Sequence, residues 1–457
     1  MSQSIFIHVG QCGNQIAQKF WDLALKEHSI FNKDGIFDNS MSSFFQNCNQ
    51  KNKTQQVGST IQSLRARAIL IDMEEGVLNE IKRGRLSELF DNTQILSSVS
   101  GSGNNWAVGY HFYGNDYSNK IIETIRKSVE YCDSMSCFFI THSMGGGTGS
   151  GLGSKIMHIL SDEYEKIQRI SLPIYPSSQD PDDVITSPYN SVLATNIVSE
   201  FSDLVIPIEN KQLFRMVNSS FIKKKSKNNF DSINSLIASL LLNLTSSSRL
   251  DGILNMDLGE LPVNLVPLPR LNYVISSQSP IFDSPRSITD SFNGIFSLRN
   301  TFIDFLATGI SINTPKPAKD LMHVPVGTTL SCCICTRGNL NIYDIRSNLD
   351  AIISKRQIFT KTCSNFWKIS ICSAKPLSHD YAILALRNSG DIVNMFQNMS
   401  VSFKKLYKRK AHLHHYLNVD GMDESYFNNS IYSLQSLIND YKTTCEDNMK
   451  TVPRMKI

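Results

Sequence analysis

Residues 137–151 read Cys137-Phe-Phe-Ile-Thr-His-Ser-Met-Gly-Gly-Gly-Thr-Gly-Ser-Gly151, and this stretch decides the fold. An apolar strand at 137–141 runs into a loop with five glycines among residues 145–151, and a helical pattern follows from about residue 154. Glycines let the backbone approach a ligand closely, and successive amide N–H groups converge on one anion. The start of the following helix adds the favourable end of its dipole. Thr148 and Ser150 offer hydroxyls to the same oxygens. The loop is not a Walker loop, because GxxxxGK[ST] is absent and no lysine follows. A dinucleotide fingerprint would sit at the first strand of its unit, with an acid about 20 residues on, in the next strand. Here Asp162 and Glu163 fall within the helix that follows.

Working outward, short apolar strands at 4–9, 66–71 and 204–208 alternate with helical patterns, the signature of a parallel sheet covered by helices. A second phosphate-facing turn, Gly10-Gln-Cys-Gly-Asn-Gln15, again joins a strand to a helix, and Gln11 and Gln15 carry side-chain donors. Asp72 and Glu74 close another strand. Carboxylates beside a polyphosphate require an intervening cation, and Mg²⁺ takes oxygen ligands of this kind. A third turn is Gly101-Ser-Gly-Asn-Asn-Trp106. For a base, Phe230 and Asn234 stand one helical turn apart, and Asn210 follows a strand end.

The chain of 457 residues is 41% hydrophobic and 19% charged, enough for a sizeable core and too apolar for a mainly disordered chain. A net charge of +4 argues against a dominant nucleic-acid or membrane field, so neither partner is expected. No segment reaches the roughly 18 apolar residues of a membrane span, and residues 1–9 lack the pattern of a signal peptide. A cytosolic protein with reduced cysteines is the expectation. Cys332 and Cys335 have CxxC spacing but no matching second pair, and they read as part of a buried strand. The Asn-, Ser- and Gln-rich residues 32–53 read as a long surface loop, and Lys223, Lys224, Lys225 and Lys227 as a solvated basic one. A helix at 230–244 is apolar nearly all round in its second half and should be buried between domains. Helices should close the chain from about residue 395; neither its basic run (Lys404 to Lys410) nor His412, His414 and His415 reads as a nucleic-acid or metal site.

Taken together, Gly10–Gln15, Gly103-Asn-Asn-Trp106, the glycine loop, Pro188-Tyr-Asn190, residues 255–269 (NMDLGELPVNLVPLP) and Arg409-Lys-Ala411 resemble the tubulin superfamily nearly from end to end. Within it the wording looks most like the epsilon class, through Phe20-Trp-Asp-Leu-Ala-Leu25 and Lys410-Ala-His-Leu-His-His-Tyr-Leu417. The resemblance implies an α/β tubulin-like fold. It has a doubly wound, mostly parallel GTP-binding domain at 1–209, a central helix and mixed intermediate domain at 210–392, and C-terminal helices at 393–457. It implies GTP or GDP held by Gln11, Cys12, Gln15, Asn104, Ser143, Gly147, Thr148, Gly149, Asp183, Asn210, Phe230 and Asn234, with Mg²⁺ near Asp72 and Glu74. Phe230 stands where the family usually has Tyr, and Ser187 replaces a ribose-side acid. The family completes its GTPase site across a longitudinal contact; Glu260 matches the alpha-tubulin residue that orients water on a neighbour's γ-phosphate, where beta-tubulin has Lys. It also implies work at centrioles or basal bodies, in doublet and triplet microtubules, with delta-tubulin, alpha- and beta-tubulin and centriolar proteins as partners. The acidic tail of lattice tubulins is missing, the sequence ending in Lys450-Thr-Val-Pro-Arg-Met-Lys-Ile457. Two rivals are a regulatory nucleotide-binding protein that never enters a polymer and a nicotinamide-dependent oxidoreductase, which the placement of the glycine loop disfavours.

Overall fold

The computed structural model describes residues 2–49, 54–177, 184–219, 229–281, 287–297, 300–303, 328–356 and 367–447. The Lys223–Lys227 cluster, Asp183 and the last ten residues lie outside them.

Among the described residues, fourteen strands form three sheets. The first comprises β1 (Gln3–Val9), β4 (Ala68–Asp72), β5 (Ile95–Ser97), β6 (Met135–Ser143), β7 (Gln168–Tyr175), β8 (Leu204–Val205) and β9 (Ile208–Glu209). Its order is β5-β4-β1-β6-β7-β8, with β9 also on β7, and every pairing is parallel. Starting centrally and winding outward in both directions is the doubly wound arrangement expected. Alternation along β1 shows why both faces are covered: Phe6 points into one cluster, and Ile5, Ile7 and Val9 into the other. The first cluster lies under helix α1 (Gly10–Phe31) and the central helix Asn229–Arg249. The second lies under helices Ser118–Glu130 and Gly153–Glu163.

Residues 39–48 correct the expectation of a surface loop. They form a helical turn, Asn39–Ser42, and β2 (Phe45–Cys48), which pairs antiparallel with β3 (Ser63–Ala66). Phe44 and Phe45 are buried against Trp21. The polar residues that suggested exposure bond internally: Asn47 Nδ2 donates to Ser59 Oγ at 3.1 Å and Thr60 O at 2.8 Å.

The second sheet runs β10 (Gly252–Leu254), β13 (Trp367–Cys372), β12 (Thr329–Gly338), β14 (Tyr381–Ser389) and β11 (Ile275–Ser279), with only β12 and β13 parallel. Cys332 and Cys335 face opposite sides of β12, in different core clusters, as residues three apart in a strand must. The central helix joins the sheets, its apolar Leu236–Leu244 half buried as expected. At their junction a fully buried Glu27 binds two buried arginines, through Oε2 to Arg249 Nη2 at 2.7 Å and Oε1 to Arg337 Nη2 at 2.6 Å. Burial raises the Glu27 pKa, but the two guanidiniums outweigh it and hold it below the usual range. Helices Ile392–Tyr407 and Glu424–Asp447 pack on helix Ser187–Phe201. Among the described residues no helix is long and apolar enough to cross a membrane.

Candidate functional site

In a parallel sheet all strand ends of one kind lie along one edge, so the loops after β1, β4, β5 and β6 converge. They surround a groove of about 1070 Å³. Gln11, Cys12 and Gln15 of α1 form one wall, Asp72 and Glu74 another. Asn104 and the loop residues Ser143, Gly147, Thr148 and Gly149 form the floor, and Asn210, Phe230 and Asn234 the far side. Phe230 is exposed to the groove and packs edge-on against Phe214, with ring centroids 5.7 Å apart. Such a face suits a planar base, with two amides near its edge.

The glycines serve loop-on-loop packing as much as ligand approach. Gly10 has a φ of 75°, in the left-handed region, and a Cβ there would stand 3.1 Å from the Gly149 amide nitrogen. At Gly149 a Cβ would lie 2.6 Å from Ser143 Oγ and 2.8 Å from the Ser143 carbonyl oxygen. Asn190 staples the loops from behind. Its Nδ2 donates to the carbonyls of Asn104 and Gly145, both at 2.8 Å, while its Oδ1 accepts from the Trp106 N–H at 3.0 Å and the Tyr416 hydroxyl at 2.5 Å. Ser102 and Thr148 hydroxyls bond at 2.8 Å. Beneath the floor, His142 Nδ1 lies 2.9 Å from the Gly149 carbonyl, and Nε2 3.2 Å from Ser171 Oγ. Burial lowers the His142 pKa to about 4, so the ring is neutral; Nδ1 donates to the carbonyl and Nε2 accepts from the hydroxyl.

Sequence reasoning had no role for Asn190, His142 or Ser102: Asn190 and Ser102 bond to other loops, and His142 is held between Gly149, seven residues on, and Ser171 on the neighbouring strand β7. Lys19 and Arg85, also on the wall, were missed too. Lys19 had a signal: it lies one helical turn beyond Gln15 on the face that carries Gln11.

Burial raises the Asp72 carboxyl to about 6, despite a hydrogen bond from the Glu74 amide at 3.3 Å. Among the described residues no lysine or arginine ion-pairs with Asp72 or Glu74. A buried carboxyl without a cation beside a phosphate cradle fits a divalent ion, which would ionise it. Two acids provide part of a coordination sphere, leaving the rest to phosphate and water, the habit of Mg²⁺. The Cys12 thiol, pushed by burial to about 12, is a wall and not a nucleophile.

Glu260 is at the opposite edge. Gln168 Nε2, at the start of β7, donates to the Gly259 carbonyl at 2.9 Å. Ser2, just before β1, and Ser136, at the start of β6, donate to Asp257 at 2.9 and 3.4 Å. Nine residues of β6 separate the two edges, roughly 25–30 Å at about 3.3 Å per residue. Glu260 therefore cannot reach its own chain's groove. Around it Val263, 77% exposed, and Ile253, 59% exposed, present apolar surface. At the groove end Val99 and Ile185 are 80% and 65% exposed.

Residues 3–218 match the Tubulin/FtsZ family, GTPase domain, and residues 269–401 the Tubulin C-terminal domain. The chain belongs to the tubulin family, and the family match makes guanine nucleotide the ligand of this fold. It is 43% identical to "Tubulin epsilon chain" from Homo sapiens over all of both chains, and 42% to that from Mus musculus over 99% of this chain and 98% of the mouse one. "Tubulin alpha-3 chain" from Saccharomyces cerevisiae is 31% identical over 96% of this chain and 97% of its own length.

Proposed function

We propose that this chain is a GTP-loaded cytoskeletal subunit that associates head to tail, Glu260 of one subunit orienting the water that attacks a neighbour's nucleotide. The single observation that carries this is the placement of the groove and Glu260 on opposite edges of one sheet, each beside exposed apolar residues. An acceptor that cannot serve its own groove is usable when a second subunit stacks on it, and such a heterologous contact repeats into a filament. Within the groove, phosphates lie on the glycine loop and the Gln11 turn, and the base lies against Phe230 with Asn210 and Asn234 at its edge. Asp183 belongs to the sugar side of this reading. Asp72 and Glu74 hold Mg²⁺, which when bound neutralises phosphate charge; this chain's own residues bind and orient. The likeness to epsilon chains supports work in the cytoplasm, at centrioles or basal bodies, in doublet or triplet walls beside delta-tubulin.

The test combines nucleotide content, sedimentation and turnover on the purified full chain, alone and mixed with alpha/beta-tubulin dimer. Bound guanosine phosphate, GTP-dependent association, and loss of the concentration-dependent hydrolysis in Glu260→Ala are expected. A chain that binds GTP yet stays monomeric in both settings would make it a non-polymerising regulator instead. In cells, a tagged chain should concentrate at centrioles or basal bodies; a diffuse distribution overturns that assignment.

A further inference from the structure

The Glu260 carboxylate is not free at the exposed edge. Lys368, second residue of β13, bonds Glu260 Oε2 through its ammonium group. Both side chains are partly exposed, 32% for Lys368 and 42% for Glu260. An ion pair this open to water contributes little to stability, so holding the fold together does not account for it. It matters when a second subunit covers the edge. Excluding water from a lone carboxylate raises its pKa and favours the protonated acid, which cannot take a proton from an attacking water. An ammonium group already in contact offsets that cost, and its attraction strengthens as the local dielectric falls. The Lys368 bond is the largest influence on Glu260, holding its pKa below the usual carboxylate range while exposed.

The other groups facing this carboxylate contribute less than Lys368: the Asp257 N–H donates to Glu260 Oε1 at 3.4 Å, a weaker pull in the same direction. Asp257, three residues earlier, is a like charge whose Oδ1 is occupied by the Ser2 and Ser136 hydroxyls. Gln168 is neutral and bonds the Gly259 carbonyl. Cys333, paired with Lys368 across β12 and β13, is a buried thiol whose pKa is pushed well up, chiefly by its contact with Cys335. The Glu260 main chain is fixed as well, its carbonyl accepting from Asn264 Nδ2 at 2.7 Å.

Resting on the head-to-tail reading above, we infer that Lys368 is a positioning residue for the neighbour's GTP hydrolysis. It keeps Glu260 ionised and fixes the carboxylate on the β13 side while the interface closes. The experiment measures the concentration-dependent part of Mg·GTP hydrolysis between pH 5 and 8 for the full chain, alone and mixed with alpha/beta-tubulin dimer. Lys368→Met should move the acid limb of that rate up by about one pH unit, lowering the rate about tenfold on the acid side of the limb, since an adjacent opposite charge shifts a carboxyl by one to three units. Lys368→Arg should keep the wild-type profile. Nucleotide content and sedimentation should be unchanged in both, and Lys368→Gln replaces the methionine variant if that one folds poorly. A wild-type rate and unshifted acid limb in Lys368→Met, with Glu260→Gln inactive, overturns the role of Lys368 alone. A wild-type rate in Glu260→Gln overturns the underlying reading, and the inference with it.

Discussion

Replacing Asp72 by Asn separates what the groove costs the empty protein from what it gains on loading. The folded state raises this carboxyl from 3.8 to about 6 by burial. At about 1.4 kcal/mol per unit, keeping it ionised at pH 7.5 destabilises the nucleotide-free fold by roughly 3 kcal/mol. The sign follows from the direction: an acid with a raised folded pKa costs nothing well below 3.8, more as pH climbs, and the full amount above about 6. Asn has the same shape and still accepts the Glu74 amide hydrogen bond. Nucleotide-free Asp72→Asn, in EDTA, should be more stable by about 3 kcal/mol at pH 7.5 and by about 1.6 kcal/mol at pH 5, read from urea midpoints and slopes. Saturating GTP and Mg²⁺ should stabilise wild type by mass action and the variant much less, narrowing or reversing the order. A variant less stable than wild type when empty, or a difference flat between pH 5 and 7.5, would refute the reasoning.

The buried triad gives a second outcome. Glu27→Ala leaves two guanidiniums unpaired in the interior and should cost at least about 3 kcal/mol in urea unfolding, whereas combined Glu27→Leu, Arg249→Met and Arg337→Met should recover most of it. Because the arginines hold the Glu27 pKa down, its stabilising ionised form persists at neutral pH and is lost only as pH falls below the usual carboxylate range. His142→Ala removes the support under the Gly149 carbonyl and should weaken GTP about tenfold by calorimetry, about 1.4 kcal/mol for one buried hydrogen bond. In wild type this group should impose no pH dependence between pH 6 and 8, since it is already neutral above about 4. Gly149→Ala, which drives a Cβ against the Ser143 backbone, should abolish nucleotide retention on purification, whereas Gly76→Ala, with nothing within 4 Å of its new carbon, should leave it intact.

What the sequence determined by itself was local: strands flowing into glycine loops, the apolar run of the central helix, and acids at the end of β4. Each is set by neighbours within a few residues, through backbone freedom or apolar periodicity, and is therefore written in order along the chain. Composition misled at residues 39–48, because Asn and Ser look solvated until Ser59 and Thr60 arrive to bond them. Tertiary structure alone decided that Asn190 ties two loops to Tyr416, that His142 reaches Ser171 on β7, and that Lys368 meets Glu260 across 108 residues. It also decided that Glu260 and the groove lie a strand's length apart, the relation on which the proposed activity turns. These are pairings between groups distant in sequence, fixed by which strands lie side by side, and no single segment carries them.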